Sequence, residues 1–231
     1  MMNNRQKKKR IKIGSTAKQR KRNKELCDRY PFLIPRNDWT DKICWVNKKF
    51  DNTLADDFPC GWWKAFGLQL CEELREDLIK CNYLNKFRFV QIKEKFGNLR
   101  CYTGTLPKES KAVRIINKYS FLSENICIMC GKPDVPMLND GWYSPYCYDC
   151  YKKICKRQDI YYSEHREDYI PRTEEEIIKL YNSYICDEQH EMSNEYIIRH
   201  YSKDGDWDET IDISDTVKLI RNNWNKRNGA K

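Results

Sequence analysis

Apolar residues recur every three or four positions along residues 61–81, GWWKAFGLQLCEELREDLIKC. Trp63, Phe66, Leu70, Leu74 and Leu78 share one side, and Glu72, Glu73, Arg75 and Glu76 lie elsewhere. This period predicts an amphipathic helix. Gly67 within it costs about 1 kcal/mol relative to Ala, which close helix packing would explain. Along residues 87–103, FRFVQIKEKFGNLRCYT, β-formers alternate with polar residues, which predicts a β-hairpin turning at Gly97-Asn98. Pro107 opens a helix predicted over 108–122, with Val113, Ile116 and Tyr119 on one side. Ahead of these elements, LCDRYPFLIPRNDW places Pro31 and Pro35 too close together for a helix and predicts an extended segment over a core. Beyond Lys153 the pattern is polar and helical. Thr173 and Glu176 form a capping box before IIKLY, residues 193–202 predict a short helix, and Ser214 is placed to cap TVKLIRNNW.

Cysteine spacing adds chemistry to this outline. Cys127-Ile-Met-Cys130 and Cys147-Tyr-Asp-Cys150 stand sixteen residues apart, the spacing of a structural zinc site. Two residues between cysteines let a tight turn aim both sulfurs at one ion, and two such turns complete a tetrahedron of thiolates around Zn2+. Gly131 suits the left-handed backbone that follows such a turn. Four thiolates close the coordination sphere, whereas catalytic zinc keeps a position for water. Residues 131–146 contain no histidine. Cys155 is a spare candidate ligand. Trp142 and Tyr143, just before the second pair, are placed to cover the metal or contact a partner.

Length and composition narrow the rest. A chain of 231 residues is long enough for a sizeable core. The start, MMNNRQKKKRIKIGS, is basic without an apolar h-region, and no stretch of about eighteen apolar residues occurs. A cytoplasmic protein with reduced thiols is expected. Cys27, Cys44, Cys60, Cys71, Cys81, Cys101, Cys155 and Cys186 are then expected mainly as buried small hydrophobes. The formal charge is +9, yet residues 1–25 hold eleven Lys or Arg and one acid, so the rest is close to neutral. Dense like charge predicts disorder over residues 1–24 in the free protein. Lys7, Lys8, Lys9, Arg10, Lys12, Lys18, Arg20, Lys21, Arg22 and Lys24 are candidate phosphate contacts, or else a solubilising tail. Lys93, Lys95 and Arg100, near Phe96 and Tyr102, make a second candidate nucleic-acid patch, or an ordinary exposed strand face.

Catalytic sets are weak. Only His165, His190 and His200 occur, without a nucleophile or metal partner at informative spacing. Glu109 and Lys111 mimic a fragment of a nuclease signature within a predicted helix. Asp204, Asp206, Asp208, Asp212 and Asp215 follow the spacing of an EF-hand loop, but Glu209 stands where the turn needs glycine. No phosphate-binding glycine loop or serine-hydrolase elbow is present. An enzyme is not expected.

Together, GWWKAFGLQLCEEL, YLNKFRFVQIKEKFGNLRCY and CIMCGKP…DGWYSPYCYDC resemble a family of small phage and prophage proteins from low-GC bacteria. Members share a GW-x-x-AFG helix, a QIKEKFG-x-LR hairpin and a CxxCG…GW…CxxC ribbon. The resemblance covers about residues 26–155. It implies a mobile-element origin and the cysteine ligand set, and no particular activity. The expected architecture is α+β: a basic arm (1–24), a helix-plus-hairpin globule (25–125), a four-cysteine zinc ribbon (126–155) and a helical C-terminal region (156–231). The expected function is non-enzymatic binding of nucleic acid or a ribonucleoprotein. The alternative is direct protein binding to a host defence complex, such as a CRISPR effector, in a bacterial cytoplasm.

Overall fold

A computed structural model of the chain describes residues 15–37, 39–187, 192–202 and 205–229. The protein is α+β, built from helices and three separate two-stranded antiparallel sheets. Its residues group into two compact units. One comprises the chain up to Phe58 with Leu68–Lys93 and Arg100–Ile115; the other comprises Pro59–Gly67, Glu94–Leu99 and everything from Ile116 onward. These units are interleaved in sequence, unlike the consecutive segments 25–125, 126–155 and 156–231. Two short stretches distant from the cysteines, 59–67 and 94–99, cluster with them.

In the first unit, helix α1 (Ala17–Arg29) is capped by the Thr16 side chain, which accepts from Gln19 N. The arm expected to be disordered to residue 24 is therefore helical over 17–24. Its anchors are Asn23 and Cys27, both buried, with Asn23 Nδ2 donating to Phe50 O at 2.9 Å. Charge density alone overlooked these two small inward-facing residues. Lys7, Lys8, Lys9, Arg10 and Lys12 lie outside the described residues. The helix ends before Pro31, as the restricted residue preceding proline requires, and a 3-10 turn (Pro31–Leu33) buries Phe32 and Leu33. Phe32, Phe87 and Phe89 pack edge to face, with centroids 5.1–5.5 Å apart, a favoured aromatic geometry. Arg29 and Tyr30 both bond Glu72.

The helix predicted at 61–81 is interrupted. An α-turn (α2, Cys60–Trp62) passes into a π-helical turn (Trp63–Gly67) and then into α3 (Leu68–Lys80). The wide turn shifts the helical phase, so Trp62 is fully buried and Trp63 only partly. Gly67 is explained by the same turn: a Cβ there would overlap the Trp63 ring. Strands β1 (Phe89–Lys95) and β2 (Asn98–Thr103) confirm the hairpin, but its turn residues are Phe96 and Gly97, at φ 53° and 76°. Both are left-handed, as a two-residue type I′ turn needs.

In the second unit, Phe66 stacks on Tyr119 of α4 (Ala112–Ser123) at 5.2 Å. Serines of α4 hold the β1–β2 tip: Leu99 N donates to Ser123 Oγ (2.9 Å) and Ser120 Oγ to Leu99 O (2.7 Å). β3 (Met137–Asn139) and β4 (Tyr143–Pro145) pair in the register Met137↔Pro145. Helices α5 (Tyr148–His165) and α6 (Glu174–Ser183) follow, and Thr173 with Glu176 forms the expected capping box. Residues 193–202 are not helical: β5 (Glu195–Ser202) pairs with β6 (Gly205–Asp212), placing the β-formers Tyr196, Ile197 and Ile198 in a ladder. Asp206, Asp208 and Asp212 thus lie along an extended strand and cannot wrap an ion as a loop would, and Asp204 is outside the described residues. Ser214 is the first residue of α7 (Ser214–Asn228) rather than its cap, and its N–H and hydroxyl donate to Asp212. Among the described residues no helix is long and apolar enough to cross a membrane.

Candidate metal centre

Cys127 opens a loop closed by two backbone bonds, Cys127 N to Lys132 O (2.8 Å) and Gly131 N to Cys127 O (2.9 Å). Gly131 sits at φ 83°, so the glycine after the pair supplies the left-handed residue that ends the turn. The second pair differs from the expectation of two matching turns. Cys147 is the N-cap of α5 and Cys150 lies in its first turn, with Cys150 N and Tyr151 N directed to Cys147 O. A helix N-terminus carries partial positive charge that favours thiolates. The β3–β4 hairpin spans the two pairs, and Ile128 N donates to Pro145 O at 2.9 Å.

The four Sγ atoms lie within 4.8 Å of one another, with Cys130 and Cys147 at 3.7 Å. A tetrahedron with bonds of about 2.3 Å requires sulfurs ~3.8 Å apart. The donor set therefore fits a tetrathiolate ion such as zinc. Among the described residues it is the one cluster of three or more His, Cys, Asp or Glu able to hold a metal. The protonation balance also fits. Cys127 is held down to about 5, first by a hydrogen bond from Cys147 and then by the N–H groups of Cys147, Cys130 and Met129. Bonding to Cys127 pushes Cys147 up, while burial and then the Cys127 charge push Cys150 to about 12. A divalent cation neutralises this conflict between crowded thiolates. Cys155 is not among the four; it is buried with Leu138, Tyr151, Ile177 and Tyr181, and burial raises its thiol.

The GW-x-x-AFG segment, read from sequence as one helix face, grips the cysteine loop. Gly61 N donates to Ile128 O (2.9 Å), Cys60 Sγ to Met129 O (3.0 Å) and the buried Trp62 Nε1 to Ile126 O (2.8 Å). A Cβ on Gly61 would stand 2.6 Å from Ile128 O, and one on Gly131 2.6 Å from Gly61 O. The loop and the helix start approach so closely that both facing residues must be glycine. Cys60 and Cys44 are exposed, against the expectation of burial, while Cys27 and Cys71 are buried.

The C-terminal helix joins the same centre and is more than an appendage. Arg221 makes a bidentate pair with Asp134 in the cysteine loop (2.8 and 3.0 Å), and Arg227 Nη1 donates to Lys64 O (2.6 Å) in the π-turn. Truncation after Ile213 is expected to lower the melting temperature and speed metal loss. Unchanged values on thermal scanning and chelator titration would contradict this role.

No family model, curated protein or solved structure matches the chain. The remaining candidates are placed by geometry alone. Lys18, Lys21 and Arg22 are exposed on α1, whereas Arg20 pairs with Asp51 (3.7 Å) and Lys24 with Asp28 (2.5 Å). Arg100 is exposed, and the Lys93 ammonium lies 5.1 Å over the Tyr102 ring. In the second unit the Lys95 ammonium lies 5.3 Å over Phe96, which stacks on Trp142; Trp142 and Tyr143 are exposed. Glu109 and Lys111 fall in the turn before α4, where Ser110 Oγ and Lys111 N donate to Asp77. His165 ends α5 with its Nδ1 2.7 Å from Tyr161 O, His200 lies in β5, and His190 is outside the described residues.

Proposed function

We propose that the protein is a non-enzymatic binding module, organised by one zinc ion at Cys127, Cys130, Cys147 and Cys150, that engages nucleic acid or a ribonucleoprotein. The observation that carries this reading is the separation of charge. Residues 1–25 hold a net +10 on a nearly neutral body, and the helical part of that segment turns Lys18, Lys21 and Arg22 to solvent. Lysine and arginine arrayed this way gain affinity by releasing counterions from phosphates. A closed tetrathiolate sphere supports structure and leaves no position for an activated water. Exposed aromatics beside the centre add a surface for specificity.

The test is a variant with Lys7, Lys8, Lys9, Arg10, Lys18, Lys21 and Arg22 replaced by glutamine. Arg20 is left intact because it pairs with Asp51. Affinity for nucleic acid is expected to fall most at low salt, and loss of four phosphate contacts flattens the slope of log K against log salt by about 3.6 on duplex DNA. An unchanged affinity and slope would sink the reading, as would turnover of a substrate by homogeneous protein.

A further inference from the structure

Two hairpin tips bring a pair of exposed rings together. Phe96 is the first turn residue of β1–β2 and sits at φ 53°. A bulky side chain there is uncommon, and Asn, Asp or Gly are the usual occupants of such turns. Burial does not compensate, because Phe96 is 53% exposed. Its partner Trp142, from the β3–β4 connection, is 48% exposed and stacks on it with centroids 5.2 Å apart and planes at 29°.

One carboxylate oxygen organises both tips. Glu94 Oε1 accepts from Trp142 Nε1 (3.2 Å) and from Gly97 N (2.8 Å). The indole donor is thereby used internally, and what Trp142 offers outward is the face of its ring. The tips are also anchored from behind, β1–β2 through Ser120 and Ser123, and β4 through Ile128 N to Pro145 O on the cysteine loop. Rings fixed in advance bind at a lower ordering cost. The Lys95 ammonium lies beside them, 5.3 Å from the Phe96 centroid.

We propose that the Phe96–Trp142 pair is a stacking platform for an unpaired base of single-stranded nucleic acid, with Lys95 meeting the adjacent phosphate. This deepens the nucleic-acid reading above and rests on it. The chemistry on offer is a π-face plus a cation, on a chain of net charge +9. Aromatic faces take any base but need it out of the duplex stack, which selects single strands over double strands. DNA and RNA share this chemistry.

Full-length, zinc-loaded protein would be titrated by fluorescence anisotropy against labelled oligo-dT, oligo-U and a duplex of equal length, at several salt concentrations. Wild type is expected to prefer the single strands. The double variant Phe96→Asn, Trp142→Ala is expected to lose at least about ten-fold in single-strand affinity. Its salt slope should stay unchanged, because stacking releases no counterions. Trp142→Phe, which keeps a ring, should retain most of the affinity. Phe96→Asn alone should melt no lower than wild type, since Asn tolerates the left-handed turn. Single-strand binding by the double variant within two-fold of wild type overturns the platform, as does a wild-type preference for duplex. If wild type binds no nucleic acid at any salt, the broader reading falls as well. If the arm variant loses binding while the platform variant does not, only the platform is lost.

Discussion

Cys127→Ser is expected to abolish stoichiometric zinc binding and to unfold the cysteine-bearing unit, the largest effect of any single change in this chain. Serine removes one of four thiolates, and with it the group that accepts from Cys147 and from three backbone N–H groups. Structural zinc contributes about 10–16 kcal/mol of apparent binding energy in finger peptides, more than the 5–15 kcal/mol that stabilises a whole domain. The damage has a predicted location. Cys127, Val135, Cys147 and Cys150 form one small buried cluster with little apolar area to stand without an ion. The first unit has its own core, including Phe32, Leu33, Leu70, Leu74, Leu78 and Phe87. Elemental analysis should therefore find one zinc per wild-type chain and almost none in the variant. Hydrogen exchange should rise across 126–155 and 59–67 while Leu70–Leu78 stays protected. Wild type purified without chelator yet lacking zinc would refute the metal, and uniform exchange across both units would refute its local role. Acidification should act like the substitution, because protons compete with the ion for the sulfurs.

Gly61→Ala is expected to destabilise the protein by about 3 kcal/mol, near the upper end of overpacking costs, although no ligand is touched. The sign is informative. Alanine in place of glycine within an exposed helix normally stabilises by up to about 1 kcal/mol. Here the added methyl would press into Ile128 O and the Cys127 carbonyl, both backbone atoms that cannot rotate away. Relief requires the cysteine loop to retreat, breaking the bond from Gly61 N to Ile128 O and straining that from Trp62 Nε1 to Ile126 O. A displaced loop no longer aims Cys127 and Cys130 at the other pair, so zinc should pass to a competing chelator faster than from wild type. Gly104→Ala is the control, since nothing lies within 4 Å of a Cβ at that position. Denaturant titration of both variants is the measurement. Equal stabilities for the two would remove the proposed grip of the GW-x-x-AFG segment on the metal loop.

What the sequence determined by itself was whatever depends on neighbours along the chain. The cysteine pairs were legible because two ligands three residues apart constrain one another through a single turn. The Thr173–Glu176 box and the β1–β2 hairpin were legible for the same reason. Errors at this level were small and local: the hairpin turn lies one residue earlier, at Phe96-Gly97, because left-handed backbone at a phenylalanine runs against its intrinsic preference. Tertiary structure decided the rest. Helical period could not register the π-turn at Trp63–Gly67, which exchanges Trp63 for Trp62 on the buried side. Residues 193–202 carried β-formers beside Asp204-Gly205, a hairpin signal, but their partner strand decides between ladder and helix. Charge hid the short anchors Asn23 and Cys27 of α1. The grip of Gly61 and Trp62 on Ile128 and Ile126, and of Arg221 on Asp134, joins residues more than sixty positions apart. Such contacts depend on where folding brings two backbones, so their glycines and arginines read in sequence as ordinary helix residues until the chain has closed.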